Sequence, residues 1–280
     1  MRLPPGRTIE LPNRGTVFIR EEDGPPAAPT VLLLHGVAMT ADLNWFGAFG
    51  ALRQRFRVVA PDLRGHGRTP SRGRFRLIDC AEDAAALVEI LGLERVIITG
   101  YSMGGLVAQL VWQRHRRLVA GLVLCATARN FRGSREEGVM SLSLMGFTRA
   151  MRFNPFLPLI GSGVLASAVL GQVRDSGLRS WAHSEMELTS LATTSDAFDE
   201  VARFTSHQWI GGVDVPAAVL ITRSDHIVPP SRQRRLAAAI RAVSVHEIDG
   251  DHGVCLDAPD RFGAAVLTAC RSVVADGVPG

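Results

Sequence analysis

The sequence predicts an α/β fold: a mostly parallel sheet flanked by helices, with a helical segment inserted late in the chain. Two patterns carry this. Short apolar runs recur between stretches with helical spacing: Val31 to Leu34, Phe56 to Ala60, Val96 to Ile98, Leu122 to Cys125, Ala217 to Thr222 and Val243 to Ile248. Unbroken runs of this kind suit strands buried on both faces, and strands alternating with helices imply parallel pairing through right-handed crossovers. From Arg129 to about Gly212 the alternation stops and only helical spacing remains. The expected division is a core of residues 1–128 and 213–280 with a helical cap over 129–212.

Taken in order, Arg7 to Leu11 and Thr16 to Glu21 read as a hairpin turning at Asn13-Arg14-Gly15. The strand Val31 to Leu34 ends in His35-Gly36-Val37. Leu43 to Leu52 reads as a helix with Trp45, Phe46 and Phe49 on its apolar side. After the strand to Ala60, Pro61 to Arg68 is a glycine-rich loop. Leu77 to Leu91 is a helix stopped by Gly92. Val96 to Ile98 leads through Gly100-Tyr101-Ser102-Met103-Gly104-Gly105 into a helix reaching about His115. Within the insertion, Ser176 to Leu191 and Ser195 to Trp209 carry helical spacing with capping serines. Pro230 to Ile240 and Pro259 to Val274 are the closing helices, one on each side of the last strand.

Composition excludes several classes. With 280 residues, 46% hydrophobic and 21% charged, the chain is globular and large enough for a sizeable core. All 31 basic residues are arginine, and the net charge is only +4. The arginines are scattered and lack interleaved aromatics, so no nucleic-acid partner is expected. Cys80, Cys125, Cys255 and Cys270 form no CxxC pair and read as buried free thiols in a reducing compartment. No leader-like run opens the chain and no transmembrane segment is expected, so the expected location is cytoplasmic. No metal or cofactor is expected, and nothing in the pattern fixes an oligomeric state.

The chemistry centres on Gly100, Ser102 and Gly104. A serine on so sharp a strand-to-helix turn is lifted clear of the sheet, and glycines flank it because side chains there would collide with neighbours. A serine hydroxyl needs a base, and the base needs a third group to hold its tautomer. Late in the chain, Asp225 follows one strand and His252 the next, both at the carboxyl ends where open α/β sheets place their sites. Asp225 reads as the acid and His252 as the base. Asp251 is disfavoured because adjacent side chains on an extended loop diverge. His66 and His226 read as structural or outward-facing, and the other histidines lack motif context. The oxyanion donors should be the amides of Met103 and Val37. Gly36 and Trp45 are candidate substrate-binding residues, with Asn44 beside them, although Trp45 equally suits core packing.

Together His35-Gly36, Asp62 with Gly65-His66-Gly67, Gly100 to Gly105, Asp225 and His252 resemble the α/β-hydrolase superfamily, in its single-cap esterase, lipase and lactonase branch. The resemblance covers roughly residues 7–128 and 213–275 and is specific for fold and triad, not for substrate. It implies a serine hydrolase acting on a small-molecule ester through an acyl-enzyme, with acyltransferase, thioesterase or cofactor-free perhydrolase as alternatives. A non-turnover ligand-binding protein of the same fold is a further one. Relatives with other chemistries differ at key positions. Epoxide hydrolases and haloalkane dehalogenases carry aspartate where Ser102 stands. Hydroxynitrile lyases use a lysine, which this chain lacks. The apolar stretch Met140 to Leu170 suggests a pocket roof that prefers apolar acyl chains.

Overall fold

The computed structural model describes residues 2–131, 173–242 and 244–274. Eight strands form one sheet: β1 (Gly6–Leu11), β2 (Gly15–Glu22), β3 (Thr30–Leu34), β4 (Arg57–Pro61), β5 (Val96–Tyr101), β6 (Val119–Cys125), β7 (Ala217–Thr222) and β8 (Ser244–Ile248). Their spatial order is β1-β2-β4-β3-β5-β6-β7-β8. β2 pairs antiparallel with both β1 and β4, and every pairing from β4 to β8 is parallel. The hairpin expected at the N-terminus therefore sits at one edge. Its turn carries Asn13 at φ 59° and Gly15 at φ 88°, the left-handed geometry those residue types tolerate.

The strands at the centre read as continuous apolar runs because both their faces are covered. Along β3, Leu32 and Leu34 pack into one core layer and Val31 and Leu33 into the other, the period of two that a strand imposes. The first layer receives α2 (Leu77–Ile90), α3 (Met103–Arg114) and α6 (Pro230–Ile240); the second receives α1 (Ala41–Leu52), α7 (Val254–Asp257) and α8 (Pro259–Ser272). Trp45, Trp112 and Phe262 are fully buried. Each such side chain contributes roughly 2–3 kcal/mol relative to exposure. The four cysteines are buried and free, as expected, and burial pushes the Cys255 and Cys270 thiols up to about 12. No helix among the described residues is long and apolar enough to cross a membrane.

Between β6 and β7 lie α4 (Ser176–Glu187) and α5 (Leu191–Arg203). Their bounds correct the spacing reading. The segment read as one helix to Leu191 breaks at Thr189-Ser190, and the next starts before Ser195. Ser190 adopts an extended conformation and its hydroxyl accepts the Thr193 amide at 3.1 Å. Asp175, not a serine, caps α4 by accepting the Leu178 amide at 2.7 Å. Local side-chain capping outcompetes continuous helix at both places. Asn130 and Thr205 form an isolated antiparallel bridge, so the chain leaves and re-enters the core at adjacent points. The stretch Met140 to Leu170 lies outside the described residues.

Charge pins these two helices to the core. Arg68 grips both carboxylate oxygens of Glu185 at 2.7 and 3.2 Å, and the Thr40 hydroxyl donates to the same carboxylate at 2.6 Å. Glu200 on α5 accepts the Leu77 amide at 3.2 Å. It thereby supplies the anionic cap that α2 lacks from its own Arg76.

Candidate active site

β5 is buried along its whole length and ends at Tyr101, where the chain turns sharply into α3. Ser102 stands at the turn with φ 52° and ψ −115°, a conformation costly for a residue with a Cβ. Its neighbours show why glycine is required. A Cβ on Gly100 would lie 2.3 Å from the Gly104 carbonyl oxygen, and one on Gly104 would lie 2.0 Å from the Leu34 carbonyl oxygen. The strained peptide is held from below. The Ser102 amide donates to the Cys125 carbonyl at 2.9 Å, and the Thr127 hydroxyl donates to the Ser102 carbonyl at 2.8 Å.

The loops after β7 and β8 bring the other two residues to the serine. His252 Nε2 lies 2.9 Å from Ser102 Oγ, and His252 Nδ1 lies 2.8 Å from Asp225 Oδ2. The carboxylate fixes the tautomer: Nδ1–H donates to Asp225, so Nε2 is left to accept the serine proton. The three residues singled out in the sequence are thus brought together across 150 residues.

Asp225 is nearly fully buried. Burial alone would raise its pKa. The charge and hydrogen bond of His252, the Thr222 hydroxyl and the Val228 amide outweigh that, and the carboxyl is held below its ordinary value. The neighbouring carboxylate, Asp251, points elsewhere. Its Oδ1 accepts the His226 and His252 amides at 3.1 and 2.6 Å and shapes the loops instead. His226 is exposed.

The loop after β3 faces the serine. A Cβ on Gly36 would lie 3.5 Å from Ser102 Cβ, so Gly36 borders the serine. The Gly36 amide is committed to Asn44 Oδ1 at 2.9 Å. The Val37 amide has no partner among the described residues. The Met103 amide is the first of α3, and a helix leaves it without an internal acceptor. The Gly36 carbonyl accepts from Met39 in a turn whose third residue, Ala38, sits at φ 55°. The Asn44 Nδ2 group is buried without a hydrogen-bond partner among the described residues.

Trp45 requires a correction. It is fully buried, stacks on Phe262 with ring centroids 5.7 Å apart, and meets Tyr101 edge-on at 6.3 Å. It is a core residue and not a pocket lining, because the first turn of α1 is buried on all sides and offers no open face.

His35 and His66 are structural. His35 Nε2 accepts the Leu63 amide at 2.8 Å, so Nδ1–H donates to the Gly36 carbonyl at 2.8 Å. One ring thereby ties the loop after β3 to the loop after β4. Burial, then the neighbouring His66, lowers His35 to about 3; burial lowers His66 to about 4. Below the ordinary value of 6.5 the unfolded chain takes up protons that these folded rings refuse. Stability therefore falls as pH drops from about 6.5 towards 4, by about 3 kcal/mol for His66 alone. Asp62, which burial raises to about 6, acts in the opposite sense between 6 and its ordinary 3.8, and offsets part of this. The urea midpoint should fall across that window, and His66→Gln should flatten the slope. An unchanged slope would remove His66 from the linkage.

Several contributors to the site went unnoticed in the sequence. The Tyr101 hydroxyl, kept protonated by burial, donates to the His252 carbonyl at 2.6 Å. Thr222 and Gln233 hold Asp225. No motif marks these positions; only a threonine ending the strand before Asp225 was visible. Among the described residues no group of three histidine, cysteine or acidic side chains is placed to hold a metal ion.

The model of the alpha/beta hydrolase fold family matches residues 29–259. The chain belongs to that family. It is a hydrolase by that membership, and it is similar in sequence to proteins with varied names. It is 28% identical to the magnesium-chelatase 30 kDa subunit of Rhodobacter capsulatus, over 88% of each chain. It is 27% identical to a non-heme haloperoxidase of Rhodococcus erythropolis, over 86% of this chain and 92% of that one. Among solved structures it resembles a thermophilic esterase from Thermogutta terrifontis, with TM-score 0.76 and 25% identity over 96% of this chain and 99% of that one.

Proposed function

We propose that the protein hydrolyses carboxylic esters through an acyl-enzyme. The observation that carries this is the unbroken hydrogen-bonded line from Ser102 Oγ through the His252 ring to Asp225, with contacts of 2.9 and 2.8 Å. His252 Nε2 takes the Ser102 proton as Oγ attacks the ester carbonyl. The Val37 and Met103 amides receive the negative charge that develops on the carbonyl oxygen. His252 then returns the proton to the departing alkoxide. A water deprotonated by His252 attacks the acyl group; as the acid departs, Ser102 Oγ takes that proton back from His252. Asp225 stays ionised throughout and stabilises the imidazolium.

In this reading residues 129–212 act as a cap over the serine. A preference for small to medium apolar acyl groups rests on the sequence from Met140 to Leu170. The test is a series of p-nitrophenyl esters of increasing acyl length, assayed below saturation. kcat/KM should rise with each added methylene, by up to about 0.8 kcal/mol in transition-state stabilisation, until the pocket is full. A flat or falling series from the two-carbon acyl onward removes the apolar preference. No turnover of any member removes the esterase reading.

A second reading keeps the acyl-enzyme and changes only the second nucleophile. The likeness to a relative named as a non-heme haloperoxidase favours peroxide in that role. Product analysis of the same esters with peroxide, alcohol and thiol acceptors separates it from hydrolysis.

A further inference from the structure

Thr222 ends β7 and Gln233 lies on α6, and both side chains are almost completely buried. Neither forms a hydrogen bond with Ser102 or His252, yet their hydrogen bonds converge on the Asp225 carboxylate. Gln233 Oε1 accepts the Thr222 amide at 3.1 Å. Gln233 Nε2 donates to the Val228 carbonyl at 2.7 Å and to Thr222 Oγ1 at 2.8 Å, with Asp225 Oδ2 further off at 3.3 Å. The two amide protons of Gln233 are thus used by the Val228 carbonyl and the Thr222 hydroxyl oxygen.

A threonine hydroxyl has one proton. With its oxygen already accepting from Gln233, Thr222 directs that proton to Asp225 Oδ2, at 2.6 Å. The same carboxylate oxygen accepts Nδ1–H of His252 at 2.8 Å. The other oxygen, Oδ1, is occupied by the Ile227 and Val228 amides at 2.9 and 2.7 Å. Two close donors therefore share Oδ2, with Gln233 Nε2 further off at 3.3 Å, and the strength of one close donor limits the strength of the other.

We propose that Thr222 and Gln233 are positioning residues that set how strongly Asp225 draws on His252, and thereby the pH at which the site becomes active. A carboxylate whose oxygen already accepts a short hydrogen bond is less basic and stabilises an imidazolium less. Removing the Thr222 hydroxyl leaves Oδ2 to His252 at 2.8 Å and to the longer contact from Gln233 Nε2 at 3.3 Å. The imidazolium is then better stabilised, and deprotonation of His252 moves to higher pH. Among the described residues, the other groups around the ring stay constant under this change. They are Ser102 from the turn before α3, the neutral Tyr101 whose ring centroid lies 5.5 Å away, and Asp251, which accepts the His252 amide. Asp257 on α7, whose carboxyl is raised by burial and then by Asp251, is also unaltered.

The inference rests on the catalytic reading of Ser102, His252 and Asp225, and the experiment separates the two. The rate of covalent labelling by a fluorophosphonate is measured against pH for the wild type, Thr222→Val, Thr222→Ser and Gln233→Leu, with the labelled residue located by mass spectrometry. The wild type should be labelled at Ser102. In Thr222→Val the acid-side midpoint should rise by about half to one pH unit. Gln233→Leu frees the hydroxyl to turn away and should shift the midpoint in the same direction by less. Thr222→Ser keeps the proton and should keep the wild-type midpoint. A loss of rate at every pH with unmoved midpoints in Thr222→Val and Gln233→Leu assigns both residues a purely structural role and overturns the inference. Should Thr222→Val not fold, Gln233→Leu decides the matter alone. A wild type that is folded and unlabelled at every pH instead overturns the proposed function.

Discussion

Ser102→Ala should lower kcat/KM for a p-nitrophenyl ester by at least about 10⁴-fold while leaving the fold intact. The fold survives because the contacts holding the turn are made by the Ser102 main chain, through the Cys125 carbonyl and the Thr127 hydroxyl. Alanine inherits the same φ of 52° with the same Cβ, so it adds no new strain. What disappears is the oxygen 2.9 Å from His252 Nε2. In the proposed mechanism no acyl-enzyme then forms, and the Val37 and Met103 amides, the proposed oxyanion donors, can only assist slow attack by water. Steady-state kinetics on a variant with a wild-type melting temperature is the measurement. Near-wild-type turnover would refute the assignment of Ser102 as nucleophile.

Gly104→Ala should have the largest effect on stability. Its Cβ would sit 2.0 Å from the Leu34 carbonyl oxygen and 2.8 Å from the His35 carbonyl oxygen. Neither atom can retreat. Leu34 ends β3, a strand paired with β4 on one side and β5 on the other, and His35 is tied to the Leu63 amide. Relief requires α3 to move off the sheet, which opens the layer packed by Leu106 and Val107. The expected cost is above about 4 kcal/mol, in the range seen only for severe core disruption. The variant should therefore unfold far below the wild type or fail to accumulate. Gly50→Ala is the control. Nothing lies within 4 Å of its added Cβ, in the body of α1. It should be neutral or stabilise by about 0.5–1 kcal/mol. Equal melting temperatures for Gly104→Ala and the wild type would show that the close approach is not as drawn.

The sequence by itself determined the element types and singled out Ser102, Asp225 and His252, which the fold brings within hydrogen-bond reach of one another. Strands buried on both faces are apolar along nearly all their length, so Val31 to Leu34 and Ala217 to Thr222 declared themselves. Ser102 was legible because a turn that tight leaves its mark as flanking glycines. Asp225 and His252 were legible because each follows a strand and its type is chemically required. Tertiary structure decided what depends on distant neighbours. The order of strands, with β3 between β4 and β5, follows from packing that no local run encodes. Trp45 stayed open between pocket and core because a helix start buried all round shows no stripe to distinguish them. The helix break at Ser190 was hidden because capping side chains and helical spacing overlap there. Thr222, Gln233 and the Tyr101 hydroxyl carry no signature. Each matters through one or more hydrogen bonds, Tyr101's to a residue 151 positions away, and a hydrogen bond acquires its meaning only once the fold has set both partners at 2.6–3.3 Å.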